Sequence, residues 1–300
     1  MKQILKKLYL FSSSWTGTII IVFIIIFFIA QAFIIPSASM QNSLLVGDFL
    51  FAKKFSYGIP TPRIPFTNTP VFPDIFDNGH IVEGERPQRG DIVIFLNPTT
   101  YENYVKRCFA VGGDEVVYKD DVFYLHHSEG DEYIKNNYPE EKIVEFLGKL
   151  WVVNPYMQTY PGITYADVAS NENLIFKNVL TRADNPSPFV LMSRVLAMTG
   201  ASSIGMKPVK IGEFNVTYEN IPFNAFYAKI PQDEFFMIGD NRDNSQDSRF
   251  FGSIPYKLIV GKPWFIYFSW DSNKIPRWER IGKFVSSLEK REYEEGKIRY

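Results

Sequence analysis

The 300 residues carry 32 Lys and Arg against 33 Asp and Glu, a formal net charge of −1. So balanced a chain lacks the basic face that nucleic-acid binding requires, and its single cysteine, Cys108, excludes an internal disulfide. Apolar residues make up 46% of the chain and aromatics 16%, enough for the core of one large domain or two smaller ones.

Lys2, Lys6 and Lys7 open the chain, with no acidic residue before the long apolar run Trp15–Ile35, WTGTIIIVFIIIFFIAQAFII. As one helix this uncharged run would reach about 31 Å, close to the ~30 Å hydrocarbon core. Pro36 stops it. The expectation is therefore one transmembrane helix over 15–35, with residues 1–14 cytoplasmic by the positive-inside rule and the rest of the chain on the far side. Ala30-Gln31-Ala32 has the pattern of a cleaved secretory signal, but the apolar run continues past it through Ile35, which favours an anchor. No later stretch reaches the length of a second span.

Directly after the run stands Pro36–Leu44, PSASMQNSL, in which two serines flank one alanine. Ser39 lies four residues beyond Ile35, at most about 14 Å away. Tyr57–Phe76 is rich in Pro and Phe and is incompatible with regular helix or central strand. It reads as an extended, aromatic-bearing loop lying against the bilayer. Short β-rich runs then recur between turn residues, among them Asp91–Phe95, Glu115–Tyr118, Val122–Leu125, Leu150–Val153, Phe235–Ile238 and Trp264–Phe268. They predict a mainly antiparallel β domain. Residues 119–216 are polar, mixed and helix-tolerant, as in Pro139–Leu150, and read as an inserted, smaller α+β domain. The expected organisation is a main β domain from 36–118 and 217–280, the insertion 119–216, and a charged tail 281–300 with no visible chemistry.

Conventional catalytic sets are missing. The histidines are His80, His126 and His127, and no Gly-x-Ser-x-Gly elbow, H-E-x-x-H or C-x-x-C occurs. Asp243–Asp247 alternates oxygen donors like a calcium loop but lacks its glycine and its final glutamate. Neither metal nor organic cofactor is expected. Three segments stand out instead: PSASMQNSL, Tyr104–Asp114 (YVKRCFAVGGD) and Gly239–Gly252 (GDNRDNSQDSRFFG). The last cannot bury its polar side chains without dense mutual pairing.

In this order and spacing the three segments resemble the boxes of bacterial type I signal peptidases, serine proteases with a Ser-Lys dyad. The resemblance covers Trp15 to about Trp278, apart from the insertion. It implies a mainly antiparallel β catalytic fold, with Ser39 as nucleophile and Lys106 as general base. Ser37 matches the oxyanion-hole hydroxyl, beside the Ser39 N–H, and Ser245 matches a serine that orients the lysine. Asp240 matches the ion-pair partner of Arg107, and Asp247 with Arg249 matches a second pair. Phe33, Ile35, Pro36, Met40, Leu44, Tyr104 and Val105 match pocket-lining positions, and Arg89–Phe95 matches a strand box. Departures stand beside the site: Asn42-Ser43 replace the usual Pro-Thr, Ala110 and Gly112 replace common Gly and Pro, and one span is visible where the family often has two.

A lysine can act as base only when neutral. Its ordinary pKa of about 10.4 leaves roughly one molecule in a few thousand neutral at pH 7, so the chemistry requires a buried amine. Residue alternation along a strand would put Lys106 on one face and Arg107 on the other. The resemblance implies exported preproteins as partners, with small residues first and third before the cut, together with the lipid bilayer. It places the enzyme in the bacterial inner membrane with its catalytic domain on the outer face. A specialised Ser-Lys peptidase maturing a pilus or conjugation subunit is the near alternative. A non-catalytic, membrane-anchored envelope protein is the distant one, and it predicts that Ser37, Ser39, Lys106 and Ser245 lie apart.

Overall fold

The computed structural model describes residues 2–24, 30–64, 69–74, 76–119, 122–164, 205–209, 211, 225–242 and 244–291. β-Branched and aromatic runs between turn residues become strands. In chain order these are β1 (Ala30–Ile34), β2 (Asp48–Lys53), β3 (Gly58–Pro60), β4 (His80–Glu83), β5 (Ile92–Leu96), β6 (Asn103–Val111), β7 (Glu115–Lys119) and β8 (Val122–His126). They continue with β9 (Ile143–Phe146), β10 (Lys149–Val153), β11 (Lys207–Val209), β12 (Ala225–Lys229), β13 (Glu234–Ile238), β14 (Ile254–Pro255) and β15 (Ile259–Ser269). The described helices are α1 (Lys2–Ser12), α2 (Trp15–Ile24), α3 (Asp131–Asn137), α4 (Ser248–Phe251) and α5 (Val285–Leu288).

Seven strands form one sheet in the order β1-β2-β15-β5-β6-β13-β14, and six form a second in the order β11-β12-β7-β8-β10-β9. A small β3-β4 ladder stands apart, and every pairing between these strands is antiparallel. The chain is thus mainly β, as its strand runs predict. The turn from β6 to β7 carries it from the first sheet to the second, and Gly113 there has φ +92°, a left-handed conformation that glycine takes without strain.

The N-terminal expectation requires correction. The apolar run is not one helix over 15–35: α2 ends at Ile24, and Ala30–Ile34 is strand β1, paired in register with Phe49–Lys53 of β2. Residues 25–29 lie outside the described residues. Among the described residues no helix is long and apolar enough to cross a membrane. The physical reason is competition: Ala-Gln-Ala-Phe-Ile can complete a ladder on an aromatic-rich strand, and periodicity alone cannot distinguish a buried helix from a buried strand.

The second sheet begins at Glu115 and ends at Lys229, so it takes in β7 and β12 on either side of 119–216. Residues 120–121, 165–204, 210 and 212–224 of that region and its border lie outside the described residues. Pro139–Leu150, expected to tolerate helix, holds a single 3-10 turn (Glu140–Lys142) and then strand β9, hydrogen-bonded to β10. The two sheets share one apolar cluster. Phe109 and Ala110 of β6, with Phe236 and Ile238 of β13, pack with Val116, Phe123, Leu125 and Phe226 of the second sheet. A second cluster, including Ile35, Leu50, Ile94 and Ile266, underlies β1 and the turn that follows it.

Candidate active site

Strand β6 runs between β5 and β13 in the middle of its sheet. Lys106, Arg107, Cys108, Phe109 and Ala110 are all buried along it. Ser39 sits in a 3-10 turn, Ala38–Met40, just beyond β1. The two meet: the Lys106 amine donates a hydrogen bond to Ser39 Oγ. Ser39 is 8% exposed and Lys106 4%. Burial lowers the lysine pKa from its ordinary 10.5 to about 8, against the opposing pull of Asp247 and Asp240. Close to neutral pH a useful fraction of the amine is therefore uncharged beside a hydroxyl. Ser37 Oγ stands 3.3 Å from Ser39 Oγ. The first N–H groups of a 3-10 turn have no partner within the turn, and that of Ser39 is among them.

Alternation along β6 turns Arg107 to the opposite face. Its Nε and Nη2 donate to the two Asp240 oxygens at 2.8 and 2.7 Å, and Nη1 donates to Gly90 O at 2.6 Å. The Tyr160 ring lies 3.8 Å from the guanidinium carbon. Burial alone would raise the Asp240 pKa, but the charge and hydrogen bonds of Arg107 hold it below the ordinary value. Ser43 Oγ also donates to Asp240. The second pair has the same design. Arg249 Nε and Nη2 donate to Asp247 at 2.8 and 2.9 Å. Asp247 too stays below its usual pKa although burial opposes this.

The glycine-led segment presses on the Ser39 turn. A Cβ on Gly239 would stand 2.6 Å from Ser39 O and 2.2 Å from Ser245 Oγ, so only glycine permits that approach. Asn241 N donates to Ser39 O at 3.1 Å, and its side-chain amide donates to Ala38 O at 3.2 Å.

Two sequence expectations differ from the structure. Ser245 is buried beside Asp247, and among the described residues its hydroxyl makes no hydrogen bond to the Lys106 amine, so the bond expected to orient Lys106 is not made. Its Oγ is packed over Gly239 instead. Leu44 does not line the cleft. It is fully buried in the cluster behind it with Leu50 and Ile266, because the chain turns inward after Met40. The other six pocket positions, Phe33, Ile35, Pro36, Met40, Tyr104 and Val105, line one cleft of about 1500 Å³ that also contains Ser37, Ser39 and Lys106. Asn42 has φ +81°, which a proline ring at this position could not adopt.

Among the described residues, one group, Asp114, His127 and Glu129, brings potential metal-ligand atoms within 4.8 Å. Arg89 already forks onto Asp114 at 2.7 and 2.6 Å and reaches Glu129 at 2.8 Å, so a side-chain cation fills that position. The sequence reading missed Tyr160 and Glu289, which both contact Arg107. Neither lies in a motif, and the Glu289 contact spans 182 residues, so no local pattern could reveal it.

The comparisons agree in kind. A family model described as "Signal peptidase, peptidase S26" matches residues 9–270. The signal peptidase I of Helicobacter pylori (strain ATCC 700392 / 26695) is 47% identical over 307 aligned residues, 96% of this chain and 97% of that protein. The signal peptidase I of Buchnera aphidicola subsp. Schizaphis graminum is 32% identical, over 90% of this chain and 80% of that protein. A crystal structure of a signal peptidase I from Enterococcus faecalis V583 covers 59% of this chain and 97% of its own at 20% identity, with a TM-score of 0.27, and so loose a superposition carries no argument.

Proposed function

The chain belongs to the signal peptidase family, peptidase S26, and on that premise we propose that Ser39 is the nucleophile and Lys106 the general base of its reaction. It is a serine endopeptidase that removes signal peptides from preproteins. The observation that carries the assignment of residues is the hydrogen bond from a buried lysine amine, lowered to about pKa 8, to the Ser39 hydroxyl.

Neutral Lys106 takes the Ser39 proton as Oγ attacks the scissile carbonyl. The oxyanion is held by the Ser37 hydroxyl and the Ser39 N–H. Protonated Lys106 then gives its proton to the leaving amine, which departs and leaves an acyl-enzyme. A water molecule, deprotonated by the same lysine, attacks the ester, and the lysine returns that proton to Ser39 Oγ as the cleaved signal peptide leaves. Arg107–Asp240 and Asp247–Arg249 hold the two scaffolds in place.

The substrate binds as an added strand. β1 is the end strand of its sheet, and an unpaired edge accepts an extended peptide while alternate side chains enter pockets. Buried Ile35 and Met40 form a narrow apolar wall. This supports a preference for small residues at the first and third positions before the cut, since larger ones would clash. The catalytic unit is built on the seven-stranded sheet, and the six-stranded sheet frames the second domain.

The bilayer is the other partner. The uncharged run from Trp15 supports membrane attachment, and Lys2, Lys6 and Lys7 before it support a cytoplasmic N-terminus with the catalytic domain on the outer face. Exposed Phe72 and Phe76 near the ladder, and Trp264, Trp278 and Phe284 near β15, supply side chains suited to the interface.

The test is cleavage of a synthetic precursor by the full-length protein in detergent. Wild type is expected to cut it, and folded Ser39→Ala and Lys106→Ala proteins to leave it whole. Normal cleavage by either variant would overturn the dyad.

A further inference from the structure

The buried pair Arg107–Asp240 has a third member from the far end of the chain. Glu289 Oε2 accepts a hydrogen bond from Arg107 Nη1 at 2.8 Å, and the two side chains are 11% and 1% exposed. Asp240 occupies Nε and Nη2 of the same guanidinium, so the arginine is gripped by carboxylates on two sides.

Glu289 is anchored where it stands. It follows α5, whose Val285 and Leu288 are buried in the cluster that contains Ile35 and Met40 of the cleft wall. Backbone bonds from Ile266 N to Lys283 O (2.9 Å) and from Gly282 N to Ile266 O (2.7 Å) tie the approach to β15. Just upstream, Arg280 donates to Ser43 O at 3.1 Å and to Asp48 at 2.6 Å. One C-terminal segment thus touches both halves of the dyad's scaffold: the nucleophile turn through Ser43, and the lysine strand through Arg107. The family match covers residues 9–270, so Arg280 and Glu289 lie beyond it.

Removing the Glu289 charge takes one of two carboxylates from the buried guanidinium and leaves Asp240 alone to hold it, so Arg107 shifts toward Asp240. Arg107 is adjacent to Lys106 on one strand, so such a shift reaches the base directly. We propose that Glu289 is a positioning residue: by gripping the side of Arg107 that Asp240 leaves open, it fixes β6 and with it the Lys106 amine against Ser39.

The proposal rests on the reading of Ser39 and Lys106 as the dyad, and its test keeps the two apart. Full-length wild type, Ser39→Ala, Glu289→Gln and Glu289→Asp are assayed on the synthetic precursor, with kcat expressed per folded molecule from the amplitude of thermal unfolding. Wild-type cleavage that Ser39→Ala abolishes establishes the dyad reading independently of Glu289. Glu289→Gln keeps the size and loses the charge. Its kcat is expected to fall roughly 10- to 100-fold, the scale of an ångström displacement of a catalytic group. KM should stay within about twofold, because an interaction that acts on the chemical step leaves ground-state binding intact. Glu289→Asp keeps the charge and should recover part of the loss. An unchanged kcat per folded molecule in Glu289→Gln, whatever its yield, overturns the proposal, as does a loss confined to KM. If Glu289→Gln does not fold, Glu289→Asp decides: a lowered kcat at constant KM supports the proposal, and wild-type kcat overturns it.

Discussion

The proposed role of Lys106 as base rests on burial, which makes its charged form expensive, and that has two measurable consequences. The first concerns rate. The acid limb of kcat/KM reports the free enzyme's base, so activity should rise as pH increases through about 8, the lowered pKa of Lys106. A limb near the ordinary 10.5 would show that the amine is not depressed. The second concerns stability. Below about pH 8 the amine is charged in both the folded and the unfolded chain, and folding bears the full penalty. Between about 8 and 10.5 the unfolded chain holds more protons, so stability rises with pH. Lys106→Met removes the penalty while keeping an apolar chain of similar length. It should abolish cleavage yet stabilise the fold at pH 7 by about 3 kcal/mol, with the advantage disappearing above pH 10.5. Thermal melts of both proteins across this range check the sign. At this scale the sequence was legible where chemistry is local. Ser39 and Lys106 stand in short motifs, as do Arg107, Asp240, Asp247 and Arg249, and the fold brings them together. It was not legible where a side chain answers to packing. The direction of Ser245 depends on how closely Gly239 approaches, and Glu289 and Tyr160 reach Arg107 only through the tertiary fold.

The turn that carries Ser39 has Asn42-Ser43 where the resemblance would put Pro-Thr. Asn42, buried at φ +81°, adopts a left-handed conformation that Asn tolerates and Pro cannot. Asn42→Pro therefore does not restore a family-like turn. It should destabilise the protein by more than about 1 kcal/mol and lower kcat, because the strain falls three residues from Ser39. Asn42→Gly accepts the same dihedral angle and should retain activity. Chemical denaturation of the two variants beside wild type separates the outcomes, and equal loss in both would assign the effect to the lost Asn42 amide bond to Gly162 O. The same scale explains the misread N-terminal run. Ala30–Ile34 is apolar enough for a helix, and its strand character is decided by β2, whose Phe49–Lys53 supplies five successive partners. A single sequence window contains no information about a partner strand 20 residues away.

Across the whole molecule the two sheets are bound by one core, and this bears on how the chain unfolds. The sequence suggested an insertion with its own domain, from a polar composition over 119–216. The strands at its borders pack across the two sheets, where β7 and β12 bring Val116, Tyr118 and Phe226 against Phe109 and Phe236 of the seven-stranded sheet. Phe109 is central to this contact. It is 1% exposed, and its ring lies 5.1 Å from that of Phe123 and 5.7 Å from that of Tyr156, both on the second-sheet side. Arg242, from the glycine-led segment, extends its guanidinium to within 5.6 Å of the Phe109 ring centre, so the same residue supports the catalytic loop. Phe109→Ala should cost about 3–5 kcal/mol, the usual range for a buried Phe truncated to Ala. If the shared core couples the sheets, wild type melts in one transition and the variant melts in one transition at lower temperature, with calorimetric and van't Hoff enthalpies in agreement. Two resolved transitions, of which the substitution moves only one, would mean that the sheets unfold separately and that the second sheet does not support the position of Lys106.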